Sequence, residues 1–113
     1  MKIVDRKTFL EMPEGILFSK YEPCYFGDIA IKGGTFPEYG DFCHQLIADS
    51  IELSGTETLS DKCTMMEHGE SVPVDLECQG RDGLYDADQL FAVWESADIE
   101  ALISRLQKCV GAP

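Results

Sequence analysis

Apolar and polar positions along the 113-residue chain change period several times, and each change marks an element. Residues 16–22, ILFSKYE, set Ile16, Phe18, Lys20 and Glu22 against Leu17, Ser19 and Tyr21. A period near two with aromatic content predicts a strand. Residues 25–36, YFGDIAIKGGTF, predict a second strand, with Tyr25, Gly27, Ile29 and Ile31 on one side and Phe26, Asp28, Ala30 and Lys32 on the other. Gly33-Gly34 is placed to supply the positive backbone angles of a tight hairpin turn. Residues 41–53 carry both periods: Phe42, His44, Leu46 and Ala48 alternate, while Phe42, Leu46 and Ile47 share a helical face. The first half is read as a strand, and the second stays open between strand and helix.

The flanking segments are helical or strand-like by the same test. After a short apolar start, MKIV, Asp5 is placed to cap one or two helical turns over RKTFLEM, burying Phe9, Leu10 and Met12, until Pro13-Glu14-Gly15 ends them. Within residues 54–70, Thr56 is placed as a cap and Glu57 in the first turn. Leu59, Cys63 and Met66 recur at helical spacing, and His68 then Gly69 close the helix. Residues 71–78, SVPVDLEC, alternate Val72, Val74, Leu76 and Cys78 inward against Ser71, Pro73, Asp75 and Glu77; Pro73 lacks a backbone donor and assigns this strand to an edge. Residues 89–95, QLFAVWE, are apolar on both sides, which predicts a central strand covered on each face.

The clearest helix spans SADIEALISRLQKC. Ser96 is placed as its cap, Asp98 and Glu100 at its positive end, and Arg105 and Lys108 at its negative end. Ile99, Leu102, Ile103, Leu106 and Val110 form one stripe, and Gly111 then Pro113 stop it. Burying four such side chains contributes roughly 6–12 kcal/mol before entropy, so this helix is expected to dock on the sheet. Together the pattern predicts one α+β domain over residues 1–113: a mostly antiparallel sheet of about five strands with two main helices packed on it.

Composition narrows the function classes. An apolar fraction of 44% suits a folded core. No apolar run reaches the roughly 18–20 residues of a membrane helix, and Met1 to Phe9 mixes charges with apolar residues unlike a signal peptide, so a soluble cytoplasmic protein is expected. Twenty-one acids against nine Lys and Arg give a net charge of −12, which opposes direct contact with nucleic acid or anionic lipid and favours solubility or a basic protein partner. The five cysteines, Cys24, Cys43, Cys63, Cys78 and Cys109, form no C-x-x-C pair and read as reduced thiols.

One stretch concentrates the candidate chemistry: CQGRDGLYDADQ, residues 78–89. Asp82, Asp86 and Asp88 are hard oxygen donors, but the acid spacing, central glycine and closing glutamate of a calcium loop are absent. Gly80 and Gly83 feed a strand instead of a helix N-terminus, which disfavours a phosphate cradle. Asp82-Gly83 signals a turn, and Arg81 is expected to pair with a local carboxylate, Asp82 or Asp86. Cys43 and His44 invite a nucleophile-and-base reading, yet neighbours on a strand point to opposite faces. His68 reaches Cys43 or Cys63 only through a fold contact. No catalytic residue, metal ligand or cofactor is therefore assigned.

The remaining reading is distributed. Between residues 75 and 100 eight acids face one base, Arg81, and a strand there would place Asp75 and Glu77 on one face roughly 6–7 Å apart. Asp75, Glu77, Asp82, Asp86 and Asp88 are taken as charge presenters to a basic protein surface, with Tyr85 as an apolar anchor. The solubilising reading of the same charges stands beside it. A small hydrolase using a Cys/His pair or a divalent metal is one alternative. A structural subunit of an oligomer is another, monomer and homo-oligomer both remaining open.

The segments MKIVDRKTFLEMPEGILFSKYEPC, FGDIAIKG and GRDGLYDADQLFAVWESADIEALISRL resemble small uncharacterised acidic proteins encoded by bacteriophages and prophages. The resemblance leaves out residues 36 to about 70 and carries no residue roles. It implies a bacterial host cytoplasm, a host or phage protein as partner, and an accessory or inhibitory role.

Overall fold

The computed structural model describes residues 1–53, 55–77 and 80–112; the predicted roles of Cys78 and Pro113 lie outside the described residues. The α+β class holds, and the sheet is antiparallel throughout. Among the described residues its seven strands are β1 (Lys2–Val4), β2 (Leu17–Glu22), β3 (Tyr25–Phe26), β4 (Ala30–Phe36), β5 (Asp41–Leu46), β6 (Gly80–Arg81) and β7 (Leu90–Val93). They lie in the order β1-β7-β2-β4-β5-β6, with β3 hairpinned back on β2. Three helices accompany them: α1 (Arg6–Glu11), α2 (Leu59–Glu67) and α3 (Ser96–Val110). Four of the five expected strands are present among the described residues, and β1, β3 and β6, of two or three residues each, are too short to leave a periodic signal.

Paired residues share a face, and the register sets the core. Phe18 faces Val93 on one side and Ala30 on the other, and Ala30 faces Leu46. The helix α1 covers that face. Asp5 caps it, accepting from the Thr8 backbone N–H at 2.8 Å, as its position in the sequence predicts. One turn later Phe9 drops into the sheet, stacked on Phe91 at 4.0 Å between ring centroids and tilted against Phe18 at 4.7 Å and Phe42 at 5.0 Å. Phe91, Ala92 and Val93 are all buried, in keeping with a strand between two others.

Several local readings are revised. Gly33 and Gly34 make no turn; they sit inside β4, where the register with β5 shifts between Lys32 and Thr35 as in a bulge. The chain turns later, through a 3₁₀ turn at Pro37–Tyr39 closed by Gly40 at φ 60°. Thr58, not Thr56, caps α2, exchanging hydrogen bonds with Asp61 in a capping box. At the start of α3, Asp98 accepts from the Glu95 backbone N–H at 2.9 Å, so the helix begins from Glu95 and Ser96 is its first residue. Residues 71–77 form no strand; a single bridge joins Val74 to Ile51, leaving Val74 and Leu76 exposed.

The largest revision concerns α3. No residue of this helix is buried, and along its stripe Ile103 and Leu106 are half exposed and Val110 is 88% exposed. Phe9 of α1, not a residue of this helix, lies in the buried core. The radius of gyration, 16.0 Å, exceeds the roughly 13 Å of a compact chain of this length, consistent with a helix that lies outside the core.

Candidate functional site

The loop after β6 answers what residues 80–89 do. Behind it stand two ion pairs that no local spacing announced. Asp82 turns inward: its carboxylate is 3% exposed and accepts from Lys20 Nζ at 2.7 Å, while its backbone N–H donates to Phe42 O at 2.9 Å. Arg81 passes over both local carboxylates to Asp41, its Nε donating to Oδ2 at 2.5 Å. The Gly83 N–H adds bonds to both Asp41 oxygens at 3.1 and 3.2 Å. Gly83 adopts φ 70°, the left-handed conformation that glycine tolerates and that aims this N–H back at Asp41. Burial alone would push the Asp41 carboxyl up, but the Arg81 guanidinium and the Phe42 and Gly83 N–H donors outweigh it and hold it below the ordinary carboxylate range.

The predicted charge presenters therefore divide. Asp82 is an internal anchor, neutralised by Lys20, and this removes it from the exposed set. Asp75 is partly buried and accepts from the Glu77 backbone N–H at 2.9 Å, so these two residues form a turn and not alternate positions on a strand face. Glu77, Asp86 and Asp88 are exposed, with Asp86 accepting from the Asp88 N–H at 3.0 Å. Tyr85 is 73% exposed, and between the acids Val74, Leu76 and Leu84 also expose apolar surface.

Two hollows flank the loop. On the α1 face of the sheet a cavity of about 400 Å³ is lined by Phe18, His44 and Leu46 from the strands and by Lys20, Asp82 and Leu84 at its rim. Half-burial lowers the His44 pKa despite the nearby Asp82 charge, which keeps the ring neutral near pH 7. Across the loop a second cavity, about 310 Å³, is bounded by Arg6, Tyr39, Asp41, Arg81, Gly83 and Tyr85.

Cys43 pairs with Arg81 and His44 with Gly80 in the β5–β6 register, so the thiol and the imidazole point to opposite faces. His68 is an exposed residue at the end of α2. Among the described residues no three His, Cys, Asp or Glu side chains converge as a metal site, and Cys24, Cys43, Cys63 and Cys109 are free thiols. Among the described residues no helix is long and apolar enough to cross a membrane.

Sequence reasoning missed Arg6, Lys20 and Asp41. For Lys20 a signal existed, since it shares the strand face of buried Phe18 and a cation there needs a partner. Arg6 and Asp41 carry no such mark. Comparison of the chain with protein-family models, with curated proteins and with solved structures gave no match.

Proposed function

We propose that this chain is a non-enzymatic binding protein that presents residues 74–77 and 84–88 to a basic protein, in a bacterial cytoplasm and in an accessory or inhibitory role. The observation that carries the reading is the mixed surface of those segments. Exposed Leu84 and Tyr85 follow exposed Glu77 and precede exposed Asp86 and Asp88 along the chain, and the loop is held from behind by the Lys20–Asp82 and Arg81–Asp41 pairs. Apolar anchors inside a charged rim are how interfaces concentrate binding energy and steer a partner of opposite charge. A loop fixed in place loses less entropy on docking.

The test is capture from bacterial lysate by the tagged chain and by a variant carrying Glu77→Lys, Asp86→Lys and Asp88→Lys. A basic protein should be retained at low salt, released at about 1 M salt, where the Debye length is about 3 Å, and absent from the variant. Equal capture by both chains, or no basic protein at low salt, would refute the proposal.

The exposed stripe of α3 favours a second reading, a structural subunit that self-associates through Ile103, Leu106 and Val110. Light scattering on a concentration series distinguishes it: a mass that stays at one chain, 12.6 kDa, rejects self-association.

A further inference from the structure

Arg6 is 4% exposed, and the described residues offer its guanidinium no carboxylate. Nη2 donates to Gly40 O at 2.7 Å, while Nε and Nη1 are buried without an acceptor. The group lies between two aromatic rings, 5.8 Å from the Phe42 centroid and 5.3 Å from that of Tyr85. Ring faces attract a cation, but they do not accept N–H bonds as an oxyanion does, so the burial leaves donors unsatisfied. Arg6 borders the 310 Å³ cavity, and so does a second guanidinium. Arg81 gives Asp41 its Nε–H and keeps its side chain half exposed, over the rings of Phe36 at 5.1 Å and Tyr39 at 5.0 Å. Two guanidiniums and one carboxylate leave this cavity net positive in a chain of charge −12.

We infer that the cavity between Arg6, Arg81, Tyr39 and Tyr85 binds a ligand carboxylate carried on a planar or aromatic group. A carboxylate presents two oxygens at the spacing of a guanidinium fork, and the tyrosine rings supply faces for a flat organic body. Entry requires Tyr85 to turn off Arg6, since the ring shields the unused donors. Its exposure permits that, and a side-chain rotation of this kind is fast. Gly40 borders the same ring: a Cβ there would stand 3.1 Å from Tyr85 Cε2, so a larger residue would push the ring a few tenths of an ångström from its place beside Arg6. The proposal is independent of the basic-partner reading, because a small acid with no positive charge satisfies it.

The experiment follows the arginine Nε–H signals by ¹H–¹⁵N spectroscopy while the intact chain is titrated with benzoate. A parallel titration uses a lysine-rich tripeptide ending in phenylalanine, with a free carboxyl terminus or as its amide. Saturable movement of the Arg6 and Arg81 signals is expected, with the amide inert. Binding of benzoate assigns a free small acid, and binding of the free-carboxyl peptide alone assigns a chain terminus. Arg81→Gln, which lies outside the aromatic core, should weaken benzoate binding at least tenfold, and Tyr85→Ala, which removes one of the two ring faces, should weaken it to a lesser degree. Unmoved Arg6 signals at saturating ligand, equal binding of the amide, or an undiminished affinity in Arg81→Gln would overturn the site.

Discussion

A lysine 2% exposed, as Lys32 is, has exchanged the hydration of its ammonium for a few fixed acceptors. Its Nζ donates to Thr35 Oγ1 at 2.6 Å and Gly33 O at 3.2 Å, and lies 5.7 Å over the Phe9 ring. The bulge at Lys32–Thr35 brings those acceptors within reach. Burial lowers its pKa below the ordinary lysine value of 10.5, with the Glu14 charge opposing. Between the lowered value and 10.5 the unfolded chain binds more protons than the folded one, so this residue makes stability rise with pH across that window. The urea midpoint of the native chain, relative to that of Lys32→Met, should therefore be higher at about pH 10 than at about pH 8. The variant itself should be no less stable near neutrality, because an apolar chain of similar length needs no acceptors. Asp41 has the same sign in an acidic window. Its folded pKa is depressed, so its contribution is present above 3.8 and lost as pH falls through the folded value. Asp41→Asn should cost about 1–3 kcal/mol near neutral pH by denaturant unfolding, a difference that shrinks on acidification. The partner of Asp41 was not legible from spacing: Arg81 lies 40 positions away, beside the nearer carboxylates of Asp82 and Asp86.

At the scale of elements, periodicity identified what it could measure. The strands β2, β5 and β7 and the helices α1, α2 and α3 each carry enough residues for a pattern, and all are present. Failures arose where one residue type serves two geometries. A glycine pair suits both a turn and a bulge, and the choice at Gly33-Gly34 fell to the register of β5. Alternation at Val72, Val74 and Leu76 mimicked a strand, but strand formation needs a neighbour's free edge, and only Val74 finds one, at Ile51. An amphipathic stripe says that a helix face can be buried, not where. Phe9→Ala, which empties the centre of the aromatic cluster, should cost about 3–5 kcal/mol. Ile103→Ser with Leu106→Ser on α3 should change the urea midpoint of dilute protein by an equivalent of about 0.5 kcal/mol or less per site. If α3 mates between copies, the native chain instead shows a melting temperature that rises with concentration, and the double variant loses that dependence.

Over the whole molecule, charge is the dominant quantity. A net −12 on 113 residues repels itself, and Glu77, Asp86 and Asp88 among its carboxylates are exposed. Screening should relieve that repulsion, so the melting temperature should climb from about 0.02 M to about 0.3 M sodium chloride. A fall over that range would mean that the Lys20–Asp82 and Arg81–Asp41 attractions outweigh the general repulsion. Composition, net charge, the α+β class and the position of most strands and helices were determined by the sequence alone, because these depend on residue type and on spacings of a few positions. Tertiary structure decided which acids face solvent and which are locked to a distant cation, that α1 and not α3 places a residue in the buried core, and that Arg6 lies buried beside the cavity it shares with Arg81. Each of those is a contact between residues remote in the chain, and burial, which sets the strength of a charge's interactions, exists only once the chain has folded.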